Sequence, residues 1–330
     1  MPVFLNILFF VGGMVLLLVG AEWLVKGASS LAKRFNISEI VIGMTVVAFG
    51  TSTPELVVNI IAAGKGSSDI VFGNVIGSNN FNMLAILGIS GLIYPLAVKS
   101  RTVKSEFPFM LFAVLLLLFL VNQYSWFGIR SNILGLAEGI ALVVFFIIFN
   151  LYEFFHIAQD DAIETDPVDM LSRWKTAMYC ILGLGGLIWG GDLVVNSAIT
   201  IARHFRMSEQ IIALTIVAAG TSLPELATSA VAAFRKKSDI AVGNIVGSTI
   251  FNILLVLGVS LIIHPLAYDP VMNVDMYIML GASVLLLTAM FTGKNFKLDR
   301  WEAFIFLVIF LLYYFYNYMR YAYDLRLIDA

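Results

Sequence analysis

The chain repeats itself after 170 residues, and this repeat limits its possible folds more than any other feature. Shifting the sequence by 170 positions aligns residues 43–97 with 213–267 without a gap, with 28 identities in 55 positions. GMTVVAFGTSTPEL matches ALTIVAAGTSLPEL, and DIVFGNVIGSNNFNMLAILG matches DIAVGNIVGSTIFNILLVLG. Polar residues recur together with apolar ones, which a duplication kept only for packing would not require. We therefore expect two copies of one functional unit.

Long apolar stretches place both copies in a lipid bilayer. The chain is 60% hydrophobic and 13% charged, whereas a soluble domain is roughly 25% charged, and about 20 apolar residues span a bilayer. Val and Ile occur in continuous runs without a two-residue alternation, which favours helices over an outer-membrane barrel. The predicted spans are 4–30, 40–63, 69–95, 107–122, 133–152, 176–202, 210–233, 239–263, 275–291 and 301–318.

The spans fall into two halves, residues 1–152 and 176–330, joined by the acidic linker 153–175. Each half has an odd number of spans, so the second copy must be inverted relative to the first. The sequence thus predicts an all-α membrane protein with ten transmembrane helices in two inverted five-helix repeats, an architecture of transporters with a midplane site. A calcium-sensing role for the linker finds no support, because it lacks EF-hand spacing.

Composition argues against several other functions. A net charge of −2 gives no basic field for nucleic acid. The single cysteine, Cys180, excludes intramolecular disulfides and cysteine-rich zinc clusters. We find no nucleophile–base arrangement, phosphate loop or HExxH motif, so we expect neither an enzyme nor a cofactor, and no feature indicates an obligate protein partner.

The second span carries polar residues on one helical face, and the seventh span repeats them. The spacing of three and four residues aligns these side chains. A carboxylate within a bilayer costs at least ~2.5 kcal/mol, and such residues usually mark an ion or proton path. The alternative is that both carboxyls are protonated and satisfied by helix neighbours. The two sets are Ala48, Thr51, Ser52, Glu55 and Asn59, and Ala218, Thr221, Ser222, Glu225 and Ser229.

A proline precedes each glutamate, at Pro54 and Pro224. Proline lacks the N–H that bonds the carbonyl four residues earlier, so we expect free carbonyls at Gly50 and Gly220 and loosened ones at the following threonines. Carbonyls beside hydroxyls and a carboxylate form an all-oxygen lining, which suits hard cations such as Ca²⁺. The alternative is a kink that serves only packing.

The third and eighth spans carry a second polar stripe, and the first and sixth carry one acidic residue each. We expect the stripe to line the same cavity, although interhelical hydrogen bonding alone could explain it, and Asn74 and Asn244 are its most structural members. Glu22 and Asp192 are interpreted as members of helix-end pairs near the headgroups, with Lys26 and Asn196 one turn later, and ion access is the alternative. The stripe consists of Asn74, Ser78, Asn82, Asn244, Ser248 and Asn252.

The paired motifs GTSTPEL and GTSLPEL, each followed by GN-x-x-GS and F-N, closely resemble the two alpha-repeats of the sodium/calcium exchanger family. The resemblance implies four ion sites at the centre of the fold. It implies Ca²⁺ ligation by Glu55, Glu225, Thr51 and Thr221, Na⁺ ligation by Ala48, Ser52, Ala218, Ser222, Ser78 and Ser248, and a central site at Asn82 and Asn252.

The function implied is exchange of Na⁺ for Ca²⁺ across a bacterial or archaeal cytoplasmic membrane, without a cofactor. A proton/calcium antiporter is the alternative, and a passive cation channel is a third possibility that the inverted repeat disfavours. Some family members carry aspartate at the central positions, where this chain has two amides. The resemblance therefore gives no support to a potassium-dependent cycle.

We predict that both termini face the outside and that the 153–175 linker is cytoplasmic. With this orientation, 14 of the 20 Lys and Arg residues flank the inner side, as the positive-inside rule requires. Reporter fusions after Ala330 would test the orientation. The orientation would be contradicted if a reporter that works only in the cytoplasm were active when fused there.

Overall fold

The computed structural model describes residues 3–35, 37–98, 100–128, 132–156, 171–204, 218–292 and 296–328. These residues are mostly helical, and short π-helical segments at 43–47, 81–86 and 252–256 continue α2 into α3, α5 into α6, and α13 into α14. The helices are α1 (Val3–Phe35), α2 (Glu39–Ile42), α3 (Ala48–Thr51), α4 (Thr53–Gly64), α5 (Ser68–Asn80), α6 (Leu87–Ile93), α7 (Ser100–Lys104), α8 (Glu106–Phe127), α9 (Leu136–His156), α10 (Arg173–His204), α11 (Ala218–Gly220), α12 (Leu223–Phe234), α13 (Ser238–Phe251), α14 (Leu257–Ile263), α15 (Asn273–Thr292) and α16 (Arg300–Ile328).

Within the described residues, eight helical stretches are long and apolar enough to cross a membrane, and a bent pair, Glu39–Thr51 with Thr53–Gly64, raises the number to nine. They coincide with nine of the predicted spans. The seventh, 210–233, is described only from Ala218 onward. A helical multi-pass membrane protein is therefore confirmed, whereas the ten-helix layout stays a prediction. Most of the acidic linker, residues 157–170, lies outside the described part of the chain.

The first helices of the two halves, α1 and α10, pack against each other through glycine residues. A Cβ on Gly13 would lie 2.9 Å from the Gly190 carbonyl oxygen, and one on Gly20 would lie 2.9 Å from that of Gly183. At the far end of α1, the hydroxyls of Ser30 and Thr176 are 2.9 Å apart. Residue numbers rise along α1 as they fall along α10, so the two helices are antiparallel. Because Gly13 and Gly20 are equivalent to Gly183 and Gly190 in the repeat, the contact is reciprocal.

Four short strands also pair reciprocally between the two halves. Strand β1 (Leu96–Ala97) pairs antiparallel with β4 (Lys297–Leu298), and β2 (Ile133–Leu134) pairs antiparallel with β3 (Leu266–Ala267). Each pair joins a loop of one half to a loop of the other half. Each pair also joins two loops that the predicted topology places on the same side of the membrane. Reciprocal pairing of this kind is what an inverted repeat produces.

Ion pairs connect the two halves near the loop between α12 and α13. Glu22 pairs with Lys26 at 2.7 Å and with Arg235, and Lys237 pairs with Glu39 at 3.1 Å. Glu22 forms the predicted pair with Lys26, but this pair does not lie at a helix end, because α1 continues to Phe35.

Asp192 likewise lies within its helix rather than at the predicted helix end, because α10 continues to His204. Its carboxylate accepts a hydrogen bond of 2.8 Å from the Asn196 amide. Each of these two acidic residues is therefore partnered one turn along its own helix. The predicted alternative, a role in ion access, stays a prediction for both.

We predict that Gly20→Val lowers stability by roughly 1–3 kcal/mol, since its side chain would overpack the contact with α10. Gly12→Val is the matched control, because a Cβ on Gly12 meets nothing within 4 Å among the described residues. Thermal unfolding of the two purified variants in detergent would measure the difference. Equal melting temperatures would contradict the packing described for α1 and α10.

Candidate cation site

Each glutamate of the repeat follows a helix break at a serine. Ser52 separates α3 from α4 with φ −84° and ψ 6°, and Ser222 separates α11 from α12 with φ −90° and ψ 8°. The axes on either side of Ser52 differ by 47°. Proline suits the position after each break, since the first turn of a helix needs no N–H donor there. The predicted kink is confirmed for the first copy, where the helix axis bends.

The prediction of a free carbonyl at Gly50 is wrong. This carbonyl accepts a backbone N–H from the turn at the end of α3, so it is not left free by Pro54. A hydrogen bond between residues three apart replaces the missing one between residues four apart, as is common at helix termini. The predicted oxygen lining must therefore come from side chains and the remaining carbonyls.

The two glutamates are buried and face hydroxyls of the opposite half. Glu55 is 1% exposed and Glu225 is fully buried. Ser222 Oγ donates to Glu55 Oε1 at 3.2 Å, and Ser52 Oγ donates to Glu225 Oε1 at 2.7 Å. Ser248 Oγ lies within hydrogen-bonding distance of both Ser52 Oγ (2.9 Å) and Glu225 Oε1 (3.5 Å). The structure therefore brings the predicted carboxylates and hydroxyls of the two copies together.

The second oxygen of each carboxylate, Oε2, is buried and has no hydrogen-bond partner in the described part of the chain. Among the described residues, no lysine or arginine forms an ion pair with either carboxylate. A buried carboxylate without a partner is strongly unfavourable unless it is neutralised. The arrangement is thus suited to binding a cation, which would supply positive charge and use the unpartnered oxygens.

Asparagines on α5 and α13 connect this centre to the rest of the helices. Thr51 Oγ1 donates to Asn244 Oδ1 at 3.1 Å, and the Asn244 amide donates to Ser229 Oγ at 3.0 Å. The other copy matches this arrangement: Thr221 donates to Asn74, whose amide donates to Asn59, at 3.5 and 2.8 Å. These bonds fit the predicted structural role of Asn74 and Asn244. Sequence reasoning missed that each one bridges a threonine of the opposite half.

The central amides lie at π-helical turns. Asn82 and Asn252 are each 1% exposed, and these repeat-equivalent residues are the second residue of the segment Phe81–Ile86 and the first of Asn252–Val256. Single π-helical turns occur often at functional sites, since the wider turn displaces the backbone. Asn252 Nδ2 donates to Asn79 Oδ1 at 3.2 Å. Asn79 was not predicted, because its repeat equivalent is Thr249 and the repeat gave no signal there.

The remaining predicted residues are placed less symmetrically. Ala48 is fully buried, whereas the side chain of Ala218 lies outside the described residues. Ser78 Oγ donates to Asn74 Oδ1 at 3.5 Å, while its equivalent Ser248 approaches Glu225. The two halves therefore form one site whose serines are not in identical environments.

Comparison with known proteins finds similarity along most of the chain. The sequence profile described as "Sodium/calcium exchanger protein" matches residues 5–155 and 175–319. The chain is 41% identical over 315 residues to CaxA of Alkalimonas amylolytica, covering 93% of this chain and 96% of that one. It is 31% identical over 350 residues to the sodium/calcium exchanger MaX1 of Methanosarcina acetivorans, covering 94% and 99%.

A solved structure of the sodium-calcium exchanger NCX_Mj, soaked with Na⁺ and Sr²⁺, is similar in fold. It superposes with a TM-score of 0.81 at 31% identity, covering 94% of this chain and 98% of that one.

We predict that Asn244→Ala lowers stability by about 1–3 kcal/mol, because it removes the partner of two buried hydroxyls. Thr249→Val is the matched control, since the Thr249 hydroxyl bonds only the Ile245 carbonyl of its own helix among the described residues. Thermal unfolding of both variants would test this. A control variant as unstable as Asn244→Ala would contradict the bridging role.

Proposed function

Because this chain belongs to the sodium/calcium exchanger family, we propose that it is a secondary antiporter that exchanges Na⁺ for Ca²⁺ at one shared site. The observation that supports this most is the pair of buried carboxylates, Glu55 and Glu225, each bonded to a serine of the opposite half. Transport of this kind needs ion gradients and neither ATP nor a cofactor.

In the calcium-bound state, the two glutamates provide the charge. Two carboxylates carry two negative charges, so one Ca²⁺ leaves the pocket neutral. Ca²⁺ takes six to eight oxygen ligands, often including bidentate carboxylates and backbone carbonyls. The buried Oε2 atoms of Glu55 and Glu225, which have no hydrogen-bond partner among the described residues, suit bidentate ligation. We assign the remaining protein ligands to the carbonyls of Thr51 and Thr221.

In the sodium-bound state, hydroxyl and carbonyl oxygens act as ligands together with the glutamates. Ser52 and Ser222 now donate to the carboxylates, and rotation of these hydroxyls would offer their oxygens to Na⁺. The same glutamates then serve both ions, so Na⁺ and Ca²⁺ exclude each other. We assign Na⁺ ligation to Ala48, Ser52, Ala218, Ser222, Ser78 and Ser248, with the amides of Asn82 and Asn252 at the centre.

We propose alternating access as the transport mechanism. Inverted repeats allow a structure in which the two halves exchange roles, so that the same site opens to one side and then to the other. The reciprocal packing of α1 on α10 and of the four short strands supports this symmetry.

Two other mechanisms give different experimental results. A proton/calcium antiporter would drive Ca²⁺ uptake into proteoliposomes loaded with acid rather than Na⁺. A passive channel would not move Ca²⁺ against its gradient. The hydroxyls beside each glutamate favour Na⁺, since they add neutral oxygens that protons do not require. Uptake into vesicles loaded with Na⁺, K⁺ or acid would therefore distinguish all three mechanisms.

We predict that exchange is electrogenic and depends on both glutamates. A pocket with two carboxylates that binds more than two Na⁺ carries a net positive charge. Moving one elementary charge across the membrane potential is worth ~2.3 kcal/mol per 100 mV. Glu55→Gln and Glu225→Gln preserve shape but remove one charge, so each should abolish Na⁺-driven Ca²⁺ uptake. In contrast, Ser52→Ala should weaken Na⁺ dependence more than Ca²⁺ binding.

Uptake measured in vesicles clamped at several potentials tests both parts of this prediction. Glu302→Gln is the control, because Glu302 is also buried (4% exposed) but caps the start of α16, where it bonds the Asp299 N–H. It should leave the voltage dependence intact. Voltage-independent uptake, or near-normal uptake by either site variant, would refute the mechanism.

We also predict that K⁺ is not transported. The central positions are amides, and an amide oxygen can coordinate an ion but adds no charge to balance an extra cation. Na⁺-driven Ca²⁺ uptake should proceed at the same rate with or without K⁺ on the Ca²⁺ side. A requirement for K⁺ on that side would show that the argument from the amides is wrong.

A further inference from the structure

The two central amides are in different environments, although they are equivalent in the repeat. Asn252 Nδ2 donates to Asn79 Oδ1 at 3.2 Å. By contrast, neither Asn82 Nδ2 nor Asn82 Oδ1 has a hydrogen-bond partner in the part of the chain that the structure describes. All three side chains are buried, at no more than 1% exposure. Among the described residues, Asn252 is therefore held by a neighbour, whereas Asn82 is not.

Holding the amide nitrogen of Asn252 also fixes the direction of its oxygen. The nitrogen and oxygen lie on opposite arms of one planar group, so Asn252 Oδ1 must point away from Asn79. That oxygen is buried and accepts no hydrogen bond from the described residues. An acceptor left in this way has lone pairs available to a cation, and oxygen is the ligand that Na⁺ and Ca²⁺ prefer.

The helix that carries Asn79 is itself anchored at this point. Asn79 and Asn80 are the last residues of α5, and the Asn80 amide donates to the Asp275 carbonyl at 3.0 Å and to Tyr313 Oη at 3.3 Å. These bonds tie the end of α5 to α15 and α16. Asn79 is therefore presented from a fixed backbone, which suits a residue that orients another.

The other half has a different residue at the equivalent position. Thr249 occupies the position equivalent to Asn79, and its hydroxyl donates to the Ile245 carbonyl of its own helix at 2.9 Å. A threonine used in this way does not orient Asn82 across the interface. The difference between the two central amides therefore follows from one difference between the repeats, Asn79 against Thr249.

We propose that Asn79 is a positioning residue, which turns the amide oxygen of Asn252 toward the Na⁺ at the central site. This inference rests on the proposed function, since it assigns that Na⁺ to the central amides. Asn79 itself acts through Asn252 and does not ligate the ion. The two central amides contribute unequally to Na⁺ binding as a result.

A double-mutant cycle between Asn79 and Asn252 tests the proposal. The readouts are the Na⁺ concentration for half-maximal Ca²⁺ uptake by proteoliposomes, and Ca²⁺ self-exchange in the absence of Na⁺. Asn79→Ala should raise the half-maximal Na⁺ concentration about two- to tenfold, the range of a single neutral hydrogen bond, and leave self-exchange unchanged. In the Asn252→Ala background the same substitution should add no further effect, because residues that act as a unit are not additive.

Asn79→Thr is the second variant, since threonine already occupies the equivalent position in the other half, and it should match Asn79→Ala. Thr249→Ala is the control and should leave Na⁺ dependence unchanged. Equal effects of Asn79→Ala in both backgrounds, a parallel loss of self-exchange, or unchanged Na⁺ dependence would overturn the positioning role. Failure of the proposed function would be seen separately, as wild-type protein whose Ca²⁺ uptake does not respond to Na⁺.

Discussion

The central constraint on this fold is that two carboxylates are buried inside a membrane. Among the described residues, no lysine or arginine forms an ion pair with either of them. Glu55 and Glu225 are each stabilised by one hydroxyl from the opposite half, and within the described part of the chain each keeps one oxygen without a hydrogen-bond partner. A hydroxyl can donate to a carboxylate in one state and offer its oxygen to a cation in another, because its hydrogen rotates. A lysine or arginine could not do so. Serine at these positions therefore leaves the charge of the glutamates available to the transported ion.

The rest of the architecture brings these groups together. Each of these bonds joins a serine of one half to a glutamate of the other, so the two halves must pack closely for the bonds to form. Glycines allow that approach: Gly13 and Gly20 on α1 meet Gly190 and Gly183 on α10 at backbone distance. Without a hydrophobic driving force between helices in lipid, close packing and interhelical hydrogen bonds hold such bundles together.

Much of this could be predicted from the sequence, because the repeat supplied two observations of every important position. One copy of Thr-Ser-x-Pro-Glu could be a packing kink, but two copies predicted the helix breaks, the buried carboxylates and the facing stripe. The helical spans followed from apolar length alone. The burial of Glu55 and Glu225 could thus be predicted before their contacts were known.

What could not be predicted depends on geometry between the halves. Spacing within one helix does not say that Ser52 bonds Glu225 rather than its own neighbour Glu55. Nor could the repeat identify Asn79, since it reports only what the two copies share and Thr249 differs. The spacing of one turn predicts the pair of Glu22 with Lys26, but it does not locate the helix end, and α1 continues past both residues to Phe35.

Calcium binding to the purified protein, measured by calorimetry at increasing Na⁺ concentrations, tests the shared site most directly. A single dicarboxylate pocket should bind one Ca²⁺ per chain, and its apparent affinity should fall with more than the first power of the Na⁺ concentration, because more than one Na⁺ must leave before Ca²⁺ enters. Ca²⁺ affinity that is independent of Na⁺, or simultaneous binding of both ions, would contradict the account.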